Sequence, residues 1–259
     1  MVKVAALFLI LASLSHAQSF EVASVKPAPS DAAWGYRFLP GGRAVLTGFR
    51  LRDLILLGWR LEDFRVLGTK GWMDSERFNI EAKAEGNPDK EESRRMVQSL
   101  LADRFRLAFH RETRELPSYS LVAAKRGAHL AASRPNVCTP HDDVSSFPAK
   151  PDAPDCGITM HLRTNPTPLL VLEANGVTLA WTARVLEALL ASQVIDATGL
   201  GGTYDFRLEY GDEGRAPGSE ASAPSLSAAL QEQLGLKLET RRGPVEVFVV
   251  DHAERPSAN

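Results

Sequence analysis

The chain has 259 residues, 44% of them hydrophobic and 24% charged, the ordinary proportions of a globular protein. Its 30 basic and 32 acidic side chains leave a formal charge of −2, too little to create a long-range field for nucleic acid or an anionic membrane. The length holds one large domain or two small ones, and any partner must be chosen by local surface.

The chain opens on MVKVAALFLILASLSHAQS: Lys3, an apolar run from Val4 to Leu14, then Ser15-His16-Ala17. That order is the charged, apolar and small-x-small pattern of a secretory leader, so residues 1–17 read as a signal peptide cut after Ala17. The run is shorter than the roughly 20 apolar residues that span a bilayer, and no later stretch approaches that length. The mature chain is therefore expected to be exported, to the periplasm or out of the cell, with no membrane span.

FEVASVKP, directly after the leader, alternates apolar with polar residues and ends in proline, the mark of an edge strand. Leu51, Leu54, Ile55 and Leu61 then share one helical face. After them come a glycine turn, the strand RFNIEA, a polar loop, and a second helix carrying Met96, Leu100 and Leu101. FRLAFHRETRELPSYSLVAAK alternates on both sides of a charged stretch and predicts a hairpin. Residues 131–168 hold seven of the 16 prolines and both cysteines, and read as a linker or surface loop. Beyond it the order returns. Leu179, Leu186, Leu189 and Leu190 form a helical face, VIDATGLGGTYDFRLEY a turn and strand, Leu226, Leu230 and Leu234 a second helix, and LGLKLETRRGPVEVFVVDH a second hairpin. A shift of 128 positions pairs Val66 with Val194, Gly71 with Gly199 and Phe78 with Phe206. The expected fold is therefore α+β: two tandem related helix-strand-helix-hairpin units, at 18–130 and 169–259, joined by the Pro-rich loop at 131–168. Segments 48–125 and 176–252 are expected to superpose, and residues 252–259 to fray.

The chain lacks G-x-S-x-G, S-x-x-K, H-E-x-x-H, G-x-x-x-x-G-K and G-x-G-x-x-G. Asp196 and Thr198, among Gly199, Gly201 and Gly202, read as part of a turn rather than a catalytic pair. His110, with Glu112 and Glu115 close in sequence, is the best acid-base candidate. Asp251 and His252 are strand neighbours that point to opposite faces. His141, Asp142, Asp143 and His161 surround the cysteines without metal-ligand spacing, so neither a metal nor a cofactor is expected. Trp34, Tyr36, Trp59, Trp72 and Trp181 are the aromatics able to line a groove between the units, Trp72 and Trp181 being the two expected in cores. Trp34, Tyr36, Trp59 and His110 are thus the candidate binding residues, with Trp34 placed in a loop.

Taken together, FEVASVKP, LRDLILLGW, GWMDSERFNIEAKA, LLADRFRLAFHRETRELPSYSLVAAK, VIDATGLGGTYDFRLEY and the closing LQEQLGLKLETRRGPVEVFVVDHAERPSAN resemble one family. It is the soil-associated family of secreted bacterial proteins of unknown function, present as many paralogues per genome, with some relatives fused to metallopeptidases of the beta-lactam-sensor type. The resemblance implies a role in the envelope and supplies no catalytic residues. PSLSAALQEQLGLKLETRRGPVEVFVV is also similar to the short N-terminal signalling module of secretins and TonB-dependent receptors, which binds protein partners. The resulting expectation is a non-enzymatic recognition module for a protein, peptide or glycan of the envelope. The alternative is an extracytoplasmic hydrolase with a site between the two units, using His110 or a carboxylate pair.

Export also makes a disulfide the natural state of Cys138 and Cys156. Thiol titration of the denatured, unreduced protein is expected to find no free thiol and to find both after reduction. Two reactive thiols before reduction would contradict the bridge.

Overall fold

The computed structural model describes residues 19–134, 156–164, 169–211 and 223–256. The predicted leader, Cys138, His141, Asp142 and Asp143 lie outside them. The chain divides into two compact units, each drawn from separate stretches of sequence.

The first unit takes residues up to Leu61, Val66–Arg111 and Phe248 onward. Its sheet is built from β1 (Val22–Ala28), β2 (Gly35–Leu39), β3 (Arg43–Phe49) and β5 (Arg77–Lys83), in the order β1-β5-β3-β2, with antiparallel neighbours. Between β3 and β5 run α1 (Leu51–Trp59), the two-residue β4 (Val66–Leu67) and the short α2 (Trp72–Ser75). After β5 comes α3 (Lys90–Arg104). Leu51, Leu54 and Ile55 of α1 are fully buried, and Val97, Leu100 and Leu101 of α3 join them under the sheet's Leu46, Phe78 and Ile80. Each such aliphatic side chain contributes roughly 1.5–3 kcal/mol by leaving water. Asp89 and Glu92 close the start of α3 reciprocally: Asp89 Oδ1 accepts from Glu92 N at 2.7 Å, and Glu92 Oε2 from Asp89 N at 2.9 Å.

The second unit takes Glu62–Arg65 and Glu112–Val247. Its sheet contains β7 (Ala131–Ala132), β8 (Gly157–Arg163), β9 (Leu169–Val177) and β11 (Tyr204–Tyr210), in the order β7-β11-β9-β8. Helices α4 (Leu179–Leu190) and α5 (Leu226–Leu234) bury Leu179, Leu186, Leu226, Leu230 and Leu234 against Leu172, Val177 and Leu208. Thr178 and Ser225 cap them, each hydroxyl accepting a backbone N–H of the first turn at 3.2 Å.

Two long strands, β6 (Ala108–Ala123) and β12 (Leu236–His252), contribute residues to both units. Parallel pairings attach β10 (Gln193–Asp196) to β6 and β4 to β12, in a third sheet of order β10-β6-β12-β4.

These strands overturn the expected fold. The coarse α+β class fits roughly, but strands hold 45% of the described residues and helices 26%, in three sheets, and two helix-strand-helix-hairpin repeat units are not present. Each predicted hairpin is one unbroken strand. The charged stretch of LGLKLETRRGPVEVFVVDH looks like a turn because it is polar; instead, Arg242 Nη2 donates to Glu115 O at 2.8 Å and Arg241 Nη1 to Ser120 Oγ at 3.5 Å, so the arginines span to β6 while β12 continues. Proline was the second misleading signal: Pro117 lies inside β6, immediately before Ser118, where pairing with β10 begins. The end at 252–256 is not frayed either, since Glu254 N donates to Phe105 O at 2.7 Å and the Arg255 guanidinium grips both oxygens of Glu76.

Gly235 follows α5 with φ +63°, and a Cβ there would lie 2.2 Å from Gly127 O. Gly199 has φ +69° with open space around it. Gly199→Ala is expected to cost about 1–2 kcal/mol, the penalty of the left-handed backbone alone, and Gly235→Ala distinctly more in denaturant titration. Equal losses would show that the backbone relaxes freely around Gly235.

Candidate functional site

The sequence WGYRFL alternates with a period of two, and Pro40-Gly41-Gly42 follows it. It forms β2, whose closing pair with β3 is Leu39 and Arg43. Alternation sends Trp34, Tyr36 and Phe38 to one face and Arg37 to the other. The aromatic rings form a ladder. Trp34 stacks on Phe49 with centroids 5.2 Å apart and planes at 26°, Tyr36 meets Trp34 edge-on at 6.3 Å, and Phe38 meets Tyr36 at 5.6 Å. Phe49 is fully buried, yet Trp34 is 60% exposed. At its Phe38 end the ladder reaches a cavity of about 390 Å³, lined also by Arg43, Asn87, Asp89 and Lys90.

A single glycine sets this geometry. The β3–β5 register shifts between Leu46 and Phe49, and Gly48 sits in that shift with φ +68°. Asn79 Oδ1 accepts from Gly48 N at 3.0 Å, and Arg77 Nη1 donates to Gly48 O at 2.7 Å. A Cβ on Gly48 would come within 2.9 Å of Ala32 O and 2.8 Å of Ala33 O. The bare backbone therefore lets the segment before Trp34 settle against β3 and lays its indole on Phe49.

Of the sequence candidates, Trp34 and Tyr36 meet in this ladder, and Trp34 lies in the loop between β1 and β2, immediately before Gly35. Trp59 does not join them: it packs on Phe109 and Phe248, at 5.1 and 5.0 Å, in the first unit's core. Trp72 packs on Phe78 at 6.4 Å, and Trp181 belongs to the second unit's core. His110 meets a residue far away in sequence: its Nδ1 lies 2.9 and 3.0 Å from the two oxygens of Asp251. Both side chains are about half exposed, at 50% and 47%. His252, as strand alternation requires, turns elsewhere, to Glu254 at 3.2 Å. Cys156 is buried at 4% exposure, and its expected partner Cys138 lies outside the described residues. Among the described residues no group of three or more His, Cys, Asp or Glu side chains could hold a metal, and no helix is long and apolar enough to cross a membrane. The Asp196–Thr198 pair serves the turn: Asp196 Oδ1 accepts from Thr198 N at 3.0 Å and from its hydroxyl at 2.7 Å.

One carboxylate cluster carried no sequence signal. Arg65 Nη2 donates to Glu187 Oε1 at 3.0 Å, and the same oxygen accepts from Val194 N at 3.1 Å. Burial raises the pKa of Glu62 above the ordinary glutamate value, and the Glu187 carboxylate raises it further, against the opposing pull of Arg184 and Arg65.

Residues 52–253 match the model of a family described as Protein of unknown function (DUF3738). The chain belongs to that family. No curated protein and no solved structure matches this DUF3738 member. The family match spans α1 to the end of β12 and leaves out β1, β2 and β3, so the aromatic ladder of this DUF3738 chain lies wholly ahead of the matched region.

Folded Glu62 holds its proton more tightly than unfolded Glu62 does. Stability therefore falls as pH rises from about 4.5 through the raised folded value, and is highest, for this group, below that window. Glu62→Gln is expected to melt above wild type at pH 7.5 and level with it at pH 4. A lower melting temperature at pH 7.5 would mean that Arg184 and Arg65 make the charged form the favourable one.

Proposed function

We propose that this chain is an exported, non-enzymatic recognition module that docks an extended segment of an envelope protein on the outer edge of β2. The predicted leader at 1–17 supports export, and export in turn supports the Cys138–Cys156 bridge. The soil-associated, many-paralogue family character read from the sequence motifs fits the same picture of a secreted adaptor.

The observation that carries the reading is the state of Trp34. A tryptophan 60% exposed to water, yet stacked on a fully buried phenylalanine, offers a large apolar surface already fixed in one orientation. Binding to such a surface orders little that was not ordered before, and that is what makes rigid aromatics effective anchors. β2 also ends its sheet, so its outer N–H and C=O groups have no strand partner among the described residues and can template another strand. The other edge, β1, is blunted by Lys26 and Pro27.

A hydrolase draws support from one observation, the His110–Asp251 pair. Half-exposed side chains share their charge with solvent, whereas acid-base residues work best where burial and neighbours set their protonation. The binding reading is the better supported.

Peptide and glycan arrays probed with the purified protein test the choice. Wild type is expected to capture peptides, and Trp34→Ala, with an unchanged melting temperature, to weaken the captured peptides about 10–30-fold. Glycan capture alone, or peptide capture indifferent to Trp34, would overturn the reading.

A further inference from the structure

The face of the first sheet opposite the aromatic ladder carries its own signal. Strand alternation and burial place Lys26 of β1, Arg37 of β2, Arg43 of β3, and Arg77 and Lys83 of β5 on that outer face. The only carboxylate the four strands add to it is Glu81. Glu81 is shared with Arg43 at 3.6 Å, a pair exposed on both sides, and Arg77 is committed to the carbonyl of Gly48. Lys26, Arg37 and Lys83 are exposed and have no side-chain partner among the described residues. A chain of net charge −2 thus concentrates cations on one sheet face.

Resting on the reading of β2 as a docking edge, we propose that its ligand is an acidic extended peptide. Its residues alternate between apolar side chains, laid on Trp34, Tyr36 and Phe38, and carboxylates, set on the basic outer face opposite Arg37. The pleat makes this pairing of chemistries unavoidable: a strand added beside β2 sends alternate side chains to the two faces, one aromatic and one cationic. Arg37 occupies the middle of the five-residue β2. An acidic residue opposite it gains a cross-strand ion pair, and a basic one is repelled. The same residue argues against a second copy of this chain as the occupant. Two β2 edges pairing antiparallel about their midpoint would set Arg37 against Arg37 of the other copy, the charged-edge device by which sheets avoid joining one another. Past Phe38 the groove opens into the 390 Å³ cavity, where Lys90, again without a side-chain partner among the described residues, meets the ligand beyond the end of the strand. Arg43 lines the same cavity, and Asp89, whose carboxylate accepts from Glu92 N, is the acidic side chain of its lining.

The test uses the purified full chain and three fluorescent eight-residue peptides that alternate leucine with glutamate, glutamine or lysine, read by polarisation at 150 mM salt, with a single-stranded oligonucleotide as polyanion control. Each exposed cross-strand ion pair adds a few-fold at most. The glutamate peptide is therefore expected to bind about tenfold tighter than the glutamine one, with the lysine peptide weakest. Arg37→Glu should reverse the order of the charged peptides and leave the glutamine peptide unchanged, while Trp34→Ala should weaken glutamate and glutamine peptides alike. Equal affinity for glutamate and glutamine peptides overturns the acidic preference and leaves the docking edge standing. Failure of all three peptides to bind overturns the docking edge itself. Oligonucleotide binding that matches the glutamate peptide and ignores Trp34→Ala shows a bare polyanion surface and overturns the proposal.

Discussion

The absence of a side chain at Gly48 is the constraint on which the β2 edge depends. Its left-handed backbone, tied by Asn79 and Arg77, shifts the register between β3 and β5. The shift places Phe49 in the core next to Phe78, and the bare Cα lets Ala32 and Ala33 approach closely enough for Trp34 to lie over Phe49. Any side chain would have to displace two carbonyl oxygens of the neighbouring backbone, and those cannot swing away as a flexible side chain can. One position thereby fixes both what is buried and what is shown to solvent.

The second long-range device is continuity of strand. In β12 the segment Glu239-Thr240-Arg241-Arg242 carries no apolar residue to bury, and an isolated strand of that composition would have little reason to persist. It persists as a hydrogen-bonded neighbour of β6 in the third sheet, and Arg242 adds a side-chain bond to a β6 carbonyl. A chain whose polar middle is held by its neighbour can keep going where a free one would turn.

That difference explains which parts of the fold were legible in sequence. The helices were, because Leu51, Leu54 and Ile55, or Leu226, Leu230 and Leu234, repeat at helical spacing and are buried for that reason. The turn around Asp196 and Thr198 was legible from its glycines, and β1 from FEVASVKP. The predicted hairpins failed because periodicity reports where a strand is buried and says nothing of whether its polar stretch bends. The hairpin of β2 and β3 was written in WGYRFL followed by Pro-Gly-Gly, a period of two that the preceding polar residues masked. Of the site, Trp34 and Tyr36 were identified and Phe38, Arg37 and Phe49 were not. Their roles depend on which face of a strand they occupy, and that is known only once the strand is. The pairing of His110 with Asp251, 141 positions apart, and the approach of Glu62 to Glu187 are tertiary events without a local signal.

Net charge concealed the electrostatics in the same way. A sum near zero rules out a global field, yet it is silent on sidedness, and one pleated sheet can carry aromatic rings on one face and cations on the other. Hydrogen exchange across β2 tests the account most directly. With the alternating leucine–glutamate peptide bound, backbone amides within Gly35–Leu39 should exchange more slowly while those of β1 are unchanged. Unaltered exchange in β2, or protection confined to other strands, would contradict it.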